Sequence, residues 1–177
     1  ASRYNEVFND KLSKDLINKY LSFIYFVQKK DGCFHNLVSY RKKFLDKKGS
    51  EDSFGRAVWA TGNIIANSNI YENIRILAKE IFDKAKDIKL KSPRSKAFYI
   101  LGLYEYYKKY PEAWILEKIK QLAEDLIQLY RDESSKDWNW FEKRITYSNG
   151  RLWEALFLAY DLIKDERYLI VAEESLK

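Results

Sequence analysis

A chain of 177 residues that is 46% hydrophobic and 33% charged can bury a core and is too apolar to stay disordered. Its longest apolar run, "YLSFIYFV" at residues 20–27, falls well short of the roughly 20 residues that span a bilayer, and a lone cysteine, Cys33, excludes an internal disulfide and fits a reducing, cytoplasmic setting. The net charge of +6 is carried by Lys and Glu alternating along stretches such as "LEKIKQLAEDLIQLYRDE", a solvated, ion-paired surface rather than a nucleic-acid patch.

Helical periodicity runs through almost the whole chain. "KDLINKYLSFIYFVQKK" is a first amphipathic helix, apolar at Leu16, Ile17, Tyr20, Leu21, Ile24 and Phe26, and Gly32 is the expected C-terminal cap. An irregular loop to Ser50 contains the only dense basic run, "YRKKFLDKK", interrupted by Asp46. Ser50 then caps a second helix, "EDSFGRAVWATGNIIAN". "YENIRILAKEIFDKAKDI" is the third. The fourth, "SPRSKAFYILGLYEYYKKY", opens with Ser92 as cap and Pro93 at its first position, where proline is tolerated. "EAWILEKIKQLAEDLIQLYRD" is the fifth. A second irregular loop, "ESSKDWNWFEKRITY", leads to the sixth, "SNGRLWEALFLAYDLI", and "DERYLIVAEESLK" begins a seventh.

Antiparallel helices joined by short turns alternate in direction. Counting directions sends both irregular loops, and the turn before Ser92, to one end of the array. The opposite end receives only tight turns. "RAVWATG" and "KAFYILG" repeat an Ala-to-Gly spacing on helices that start at the loop-rich end. Small residues let helices approach closely, so the second, fourth and sixth helices form an inner layer and the third and fifth an outer one. The expected fold is therefore all-α, an antiparallel α-hairpin array of about seven helices in one domain over residues 1–177.

Three constellations lie at the loop-rich end. Glu51 and Asp52 begin a helix, with Arg56 one turn on; they suit the helix dipole and an intrahelical ion pair, or the rim of a site. Trp138, Trp140, Phe141 and Glu142 cluster in the second loop. Aromatic rings stack on sugar faces and a carboxylate can bind hydroxyls or protonate a glycosidic oxygen, although such tryptophans also plug cores. Ser148, Asn149, Arg151 and Glu154 follow. In the first loop His35, Asn36 and Tyr40 could contact a ligand. As the sole histidine, His35 argues against a His-based metal site or a Ser-His triad and is more often a hydrogen-bonded structural residue. No phosphate loop, dinucleotide fingerprint or metal cluster is spelled out, so neither cofactor nor metal is expected.

The segments "DGCFHNLVSYRKKFLDKKGSEDSFGRAVWATG", "SPRSKAFYILGL" and "WNWFEKRITYSNGRLWEAL" resemble the motifs of an (α/α)-toroid family of the six-hairpin glycosidase-like type, whose members are often uncharacterised or associated with glycosyltransferases. The resemblance spans roughly residues 30–160. Glu51, Asp52 and Arg56 are similar to its Ser-Glu-Asp-Ser motif, Trp140, Phe141 and Glu142 to its Trp-Phe-Glu motif, and residues 146–151 to a Thr-Tyr-Asp-Asn-Ala-Arg pattern. Ser148 replaces the aspartate of that pattern, and Phe54 stands where a histidine is expected.

The resemblance implies part of a longer (α/α)6 toroid and a carbohydrate-active, glycoside hydrolase-like domain. Glu51 or Asp52 with Glu142 would be the catalytic carboxylates. Trp138, Trp140 and Tyr147 would stack sugar rings, and His35, Tyr40, Arg56, Asn149 and Arg151 would complete the substrate site. The alternative is a non-catalytic helical module that binds a saccharide or a protein beside a glycosyltransferase. With three and a half hairpins the ring cannot close. Apolar stripes at Tyr168, Leu169 and Val171, and at Phe23, Phe26 and Val27, are expected to stay open unless another copy or further chain covers them.

Overall fold

The computed structural model describes residues 1–177 and is all-helical. Eight helices follow in order: α1 (Ser2–Phe8), α2 (Lys11–Val27), α3 (Glu51–Ala66), α4 (Glu72–Lys84), α5 (Pro93–Lys109), α6 (Ala113–Glu133), α7 (Gly150–Ile163) and α8 (Glu166–Glu174). The seven expected helices are all present; α1 is additional. It is separated from α2 by Asn9, which adopts a left-handed conformation, and by Asp10, whose carboxylate caps α2 by accepting from Ser13 N at 2.6 Å.

Ser50 caps α3 as expected, its hydroxyl accepting from Ser53 N at 3.1 Å. Two other expected caps differ. The α2 helix ends at Val27, well before Gly32. Gly32 instead turns the following loop with φ 85°, and a Cβ there would lie 2.0 Å from the Lys84 carbonyl oxygen. Glycine is needed for both the conformation and the close approach. Ser92 makes no side-chain cap to α5; a carboxylate from another helix instead holds the backbone just ahead of it, as described below.

Helices α3, α5 and α7 form one layer, with α5 packed between the other two. The second layer is α2, α4, α6 and α8: α4 packs on α2 and α3, α6 on α5 and α7, and α8 on α6 and α7. This is an array of helical hairpins with alternating layers. Its tightest seam is between α3 and α5. A Cβ on Gly62 would lie 2.3 Å from the Gly102 carbonyl oxygen, so the two backbones touch where the sequence repeat places its glycines. Residues 94–103 of α5 are all buried, as befits a helix enclosed on every side. One cluster of 37 buried apolar residues extends from Ile17 of α2 to Ala172 of α8.

The two ends of the array differ from each other in an unexpected way. Tyr168 and Val171 of α8 are buried, not open, because α8 turns its apolar stripe onto α6 and α7. The Tyr168 hydroxyl donates to Glu124 of α6 at 3.0 Å. On α2, Val27 is also buried, but Phe23 and Phe26 are exposed. Only the α2 stripe remains uncovered. No helix is long and apolar enough to cross a membrane.

Candidate functional site

The inner helices α3, α5 and α7 all begin at the same end, and the loops before them converge there. The adjacent carboxylates Glu51 and Asp52 divide their labour. Glu51 Oε2 accepts from both Lys91 N and Ser92 N at 2.7 Å, the backbone amides just ahead of α5. It therefore satisfies the N-cap amide of Ser92 and the amide before it, and places negative charge near a positive dipole end. The helix it serves is α5, not its own.

Asp52 points the other way. Its Oδ2 accepts from Arg56 Nε at 2.8 Å, the i,i+4 pair expected on α3, and its Oδ1 accepts from the Tyr147 hydroxyl at 2.8 Å. Partial burial and the hydrogen bond to Asp52 push the Tyr147 phenol above its ordinary value, consistent with its standing as the donor of this pair. Arg56 reaches on to donate to Ser148 Oγ at 3.2 Å, and its guanidinium lies 4.5 Å from the centre of the Phe98 ring. Ser148 has φ 49°, a left-handed conformation that aspartate and asparagine tolerate better than serine. The aspartate of the resembled pattern would suit this backbone. Phe54 is buried against Phe34 and Tyr99, so the position that resembles a histidine is core here.

The centre of the arrangement is Arg94, which is only 3% exposed. It donates Nη1 to Glu142 Oε2 at 2.5 Å, Nη2 to Asn149 Oδ1 at 2.8 Å, and Nε to the Tyr147 carbonyl oxygen. Its guanidinium also sits 4.8 Å from the Tyr147 ring centre. One planar fork thus ties three points of the loop before α7 to the first turn of α5. A buried guanidinium is tolerable because its donors are matched in this way. Pro93 immediately before it and the parity of the helices mark this position in the sequence; its role was nevertheless missed because an arginine in a first helical turn opposes the dipole and suggests no site.

The expected site residues do not all come together. Asp52, Arg56, Glu142, Tyr147 and Asn149 are brought into one hydrogen-bonded assembly, with Glu51 beside it as a cap. Arg151 is on the same helix start, where it pairs with Glu154 and lies 4.8 Å from the Trp59 ring centre. Trp59, stacked on Phe98 with centroids 5.6 Å apart, is an aromatic of the inner layer that the motifs did not single out. The two loop tryptophans turn inward. Trp140 is buried in the core and Trp138 is half-buried, its Nε1 donating to the Glu142 carbonyl oxygen at 2.8 Å. They brace the backbone that carries Glu142, and the buried ring of Trp140 offers no free face to a sugar.

His35 is held by Asp46, with Nδ1 2.9 Å from the carbonyl oxygen and 3.3 Å from Oδ1, and its ring stacks on Phe44 at 4.0 Å. Tyr40 is fully exposed at the tip of the first loop and hydrogen-bonds to nothing. It stands apart from the assembly.

A cleft of about 550 Å³ opens beside Asp52, walled by Phe23, Ile24, Phe34, His35 and Arg56. It combines apolar walls with a carboxylate and a guanidinium at one edge, the mixture that orients a small polar ligand. No group of three or more His, Cys, Asp or Glu is placed to hold a metal ion. No family model matches the chain, and no curated protein matches it.

Proposed function

We propose that the chain is a carbohydrate-active helical domain of the (α/α)-toroid, six-hairpin glycosidase-like kind, working in the cytoplasm and binding a saccharide at the end where α3, α5 and α7 begin. One observation carries this reading: the connected series Asp52–Tyr147–Arg94–Glu142, in which two carboxylates from distant parts of the sequence are held at one end of the array, with Asp52 at the edge of a cleft. Asp52 and Glu142 are the pair for glycosidic chemistry, one as general acid and the other as base or nucleophile, with their separation in the bound state deciding inversion or retention. Tyr147 supplies an exposed ring for stacking, in place of the inward-turned tryptophans. Arg56 and Arg151 hold hydroxyls or an acidic substituent.

A second reading has its own support. Asp52 and Glu142 each already engage a guanidinium, Arg56 and Arg94, an arrangement equally suited to reading sugar hydroxyls without cleaving a bond. A panel of oligosaccharides and chromogenic glycosides separates the two. For an enzyme, Asp52→Asn and Glu142→Gln each lower turnover by about 10²–10⁴-fold while saccharide affinity changes far less. For a binding module, wild-type protein binds in calorimetry with no turnover, and the same substitutions weaken binding. Absence of both binding and turnover across the panel would overturn both readings.

A further inference from the structure

The first loop and α2 carry a surface that meets the candidate site only along one edge, where Phe23 and Leu37 also wall the cleft. Residues 1–50 contain eleven Lys and Arg against five Asp and Glu, an excess equal to the net charge of the whole chain, whereas residues 51–177 contain twenty-one of each. The same fifty residues hold twelve of the eighteen large hydrophobic side chains that are exposed. The surplus charge and the uncovered apolar surface therefore coincide.

Residues 37–45 give this surface its shape. Leu45 N donates to the Leu37 carbonyl at 2.9 Å and Ser39 N to the Lys43 carbonyl at 2.8 Å, with Val38 and Phe44 bridged between them. The result is a short hairpin, turned by Lys42 at φ 58°. Phe44 packs inward on Phe26 of α2, with centroids 5.2 Å apart, and on His35. Alternation along extended chain then sends Leu37 and Leu45 to the opposite face, and both are exposed. Tyr40 is at the tip. Arg41, Lys42, Lys43, Lys47 and Lys48 are exposed and form no ion pair. The one acid nearby, Asp46, is turned inward: it accepts from Asn36 N at 2.8 Å and Leu37 N at 3.3 Å and holds His35. On α2, Leu12, Lys19, Phe23 and Phe26 are all exposed and share one helical face, which the Phe26–Phe44 contact joins to the hairpin.

Water leaves these leucines and phenylalanines unsatisfied. A soluble anion would engage the cations and ignore the leucines. A single-stranded nucleic acid would use cations and aromatic faces, but aliphatic side chains offer a base no stacking face. An anionic bilayer surface accommodates both, with headgroups facing the cations and apolar side chains entering the interface. We propose that the 37–45 hairpin, together with the exposed face of α2, docks this protein on anionic membrane surfaces as a peripheral contact. The hairpin projects its leucines and Tyr40 into the interface, and Arg41, Lys42 and Lys43 ring them.

Co-sedimentation of the 177-residue chain with vesicles tests the docking. Binding is expected to vesicles of phosphatidylcholine with one-third phosphatidylglycerol, not to phosphatidylcholine alone. It should weaken in about 0.5 M salt, where screening acts within a few Å. The double variant Arg41→Ala/Lys43→Ala should reduce partitioning about 30-fold. Leu37→Ser/Leu45→Ser should reduce it by at least about tenfold, with an unchanged helical circular-dichroism spectrum in both variants.

No binding to the anionic vesicles, or equal binding to both kinds, overturns the proposal. So does loss in the charge variant with none in the leucine variant, which would mean attraction to any polyanion. Binding to a single-stranded oligonucleotide without binding to vesicles would assign the surface to nucleic acid. Dimerisation abolished by Leu37→Ser/Leu45→Ser, again without vesicle binding, would assign it to a second copy.

Discussion

Between residues 51 and 177, twenty-one basic side chains face twenty-one acidic ones, and twelve of the thirteen ion pairs that Lys and Arg make with carboxylates form there. Residues 1–50 carry eleven basic against five acidic side chains and only one such pair, Lys29–Asp31. The later region also leaves fewer large apolar side chains in water, six against the twelve of the much shorter earlier region. Even the α8 stripe is covered, while Phe23, Phe26, Leu37 and Leu45 of the earlier region remain in water. Charges mated within a fold serve that fold, either as i,i+4 pairs along helices or as clamps such as Arg94. Surplus charge beside uncovered apolar surface contributes little to folding and is available to something outside the molecule. The hydrogen-bonded assembly around Arg94 belongs to the first kind of surface and the hairpin to the second, and the two meet at the cleft, where Phe23 and Leu37 face Asp52 and Arg56.

The largest expected effect tests the clamp. Arg94→Met leaves Glu142, Asn149 and the Tyr147 carbonyl without their donor; losing a partner in a fully buried pair costs about 3–5 kcal/mol, and the partial exposure of Glu142 places the loss at or below the lower end of that range. Arg41→Ala, in the unpaired region, should change stability by less than about 0.5 kcal/mol. Urea denaturation of the two variants measures both. Equal losses would erase the distinction between mated and surplus arginines.

A smaller loss is expected at the seam between the inner helices. Gly62→Ala places a methyl group against the Gly102 backbone, where neither side can yield by a rotamer change. Overpacking of this kind costs about 1–3 kcal/mol. Thermal unfolding reads it. A neutral result would show that α3 and α5 slide apart readily, and that the layer positioning Asp52 and Arg94 is softer than its packing implies.

The mildest perturbation alters no residue. Burial, with hydrogen bonds to Glu112 and Glu174, pushes the phenols of Tyr106 and Tyr130 up to about 12; burial raises Tyr99 and Tyr168 as well. A phenol whose folded value is raised binds its proton more tightly in the folded state. Its contribution to stability is complete below the unfolded value of about 10 and is lost as pH climbs through the folded value. The melting temperature should therefore hold on moving from neutral pH towards about 10 and decline beyond it. All four tyrosines lie between residues 51 and 177. A flat alkaline profile would show that these buried hydroxyls do not couple to folding.

Much of the architecture was legible in the sequence. Periodicity located seven helices, and the count of directions sent the loops to one end, because helix length and turn length together dictate which way each segment runs. The Ala-to-Gly repeat marked the close seam for the same local reason: only glycine lets two backbones touch. Short α1 carried too little periodicity to be seen. The site was legible in part. Asp52, Glu142, Tyr147 and Asn149 were named from motifs, but Arg94, which joins three of the four, was not.

Sequence determined what each residue could do: a carboxylate accepts, a guanidinium donates, an amphipathic stripe seeks a partner. Tertiary structure alone decided which partner each one found. Glu51 and Asp52 are neighbours with the same chemistry, yet one caps the start of α5 and the other holds Tyr147 and Arg56. Trp140, in a loop that reads as a sugar platform, is buried in the core. The stripes of α2 and α8 read alike in sequence, but α8 folds onto two helices while α2 keeps Phe23 and Phe26 in water. The physical reason is common to all three cases. Local preference depends on a few neighbouring residues and can be read along the chain, whereas the environment of a side chain is set by residues forty to a hundred positions away that only the assembled fold brings within reach.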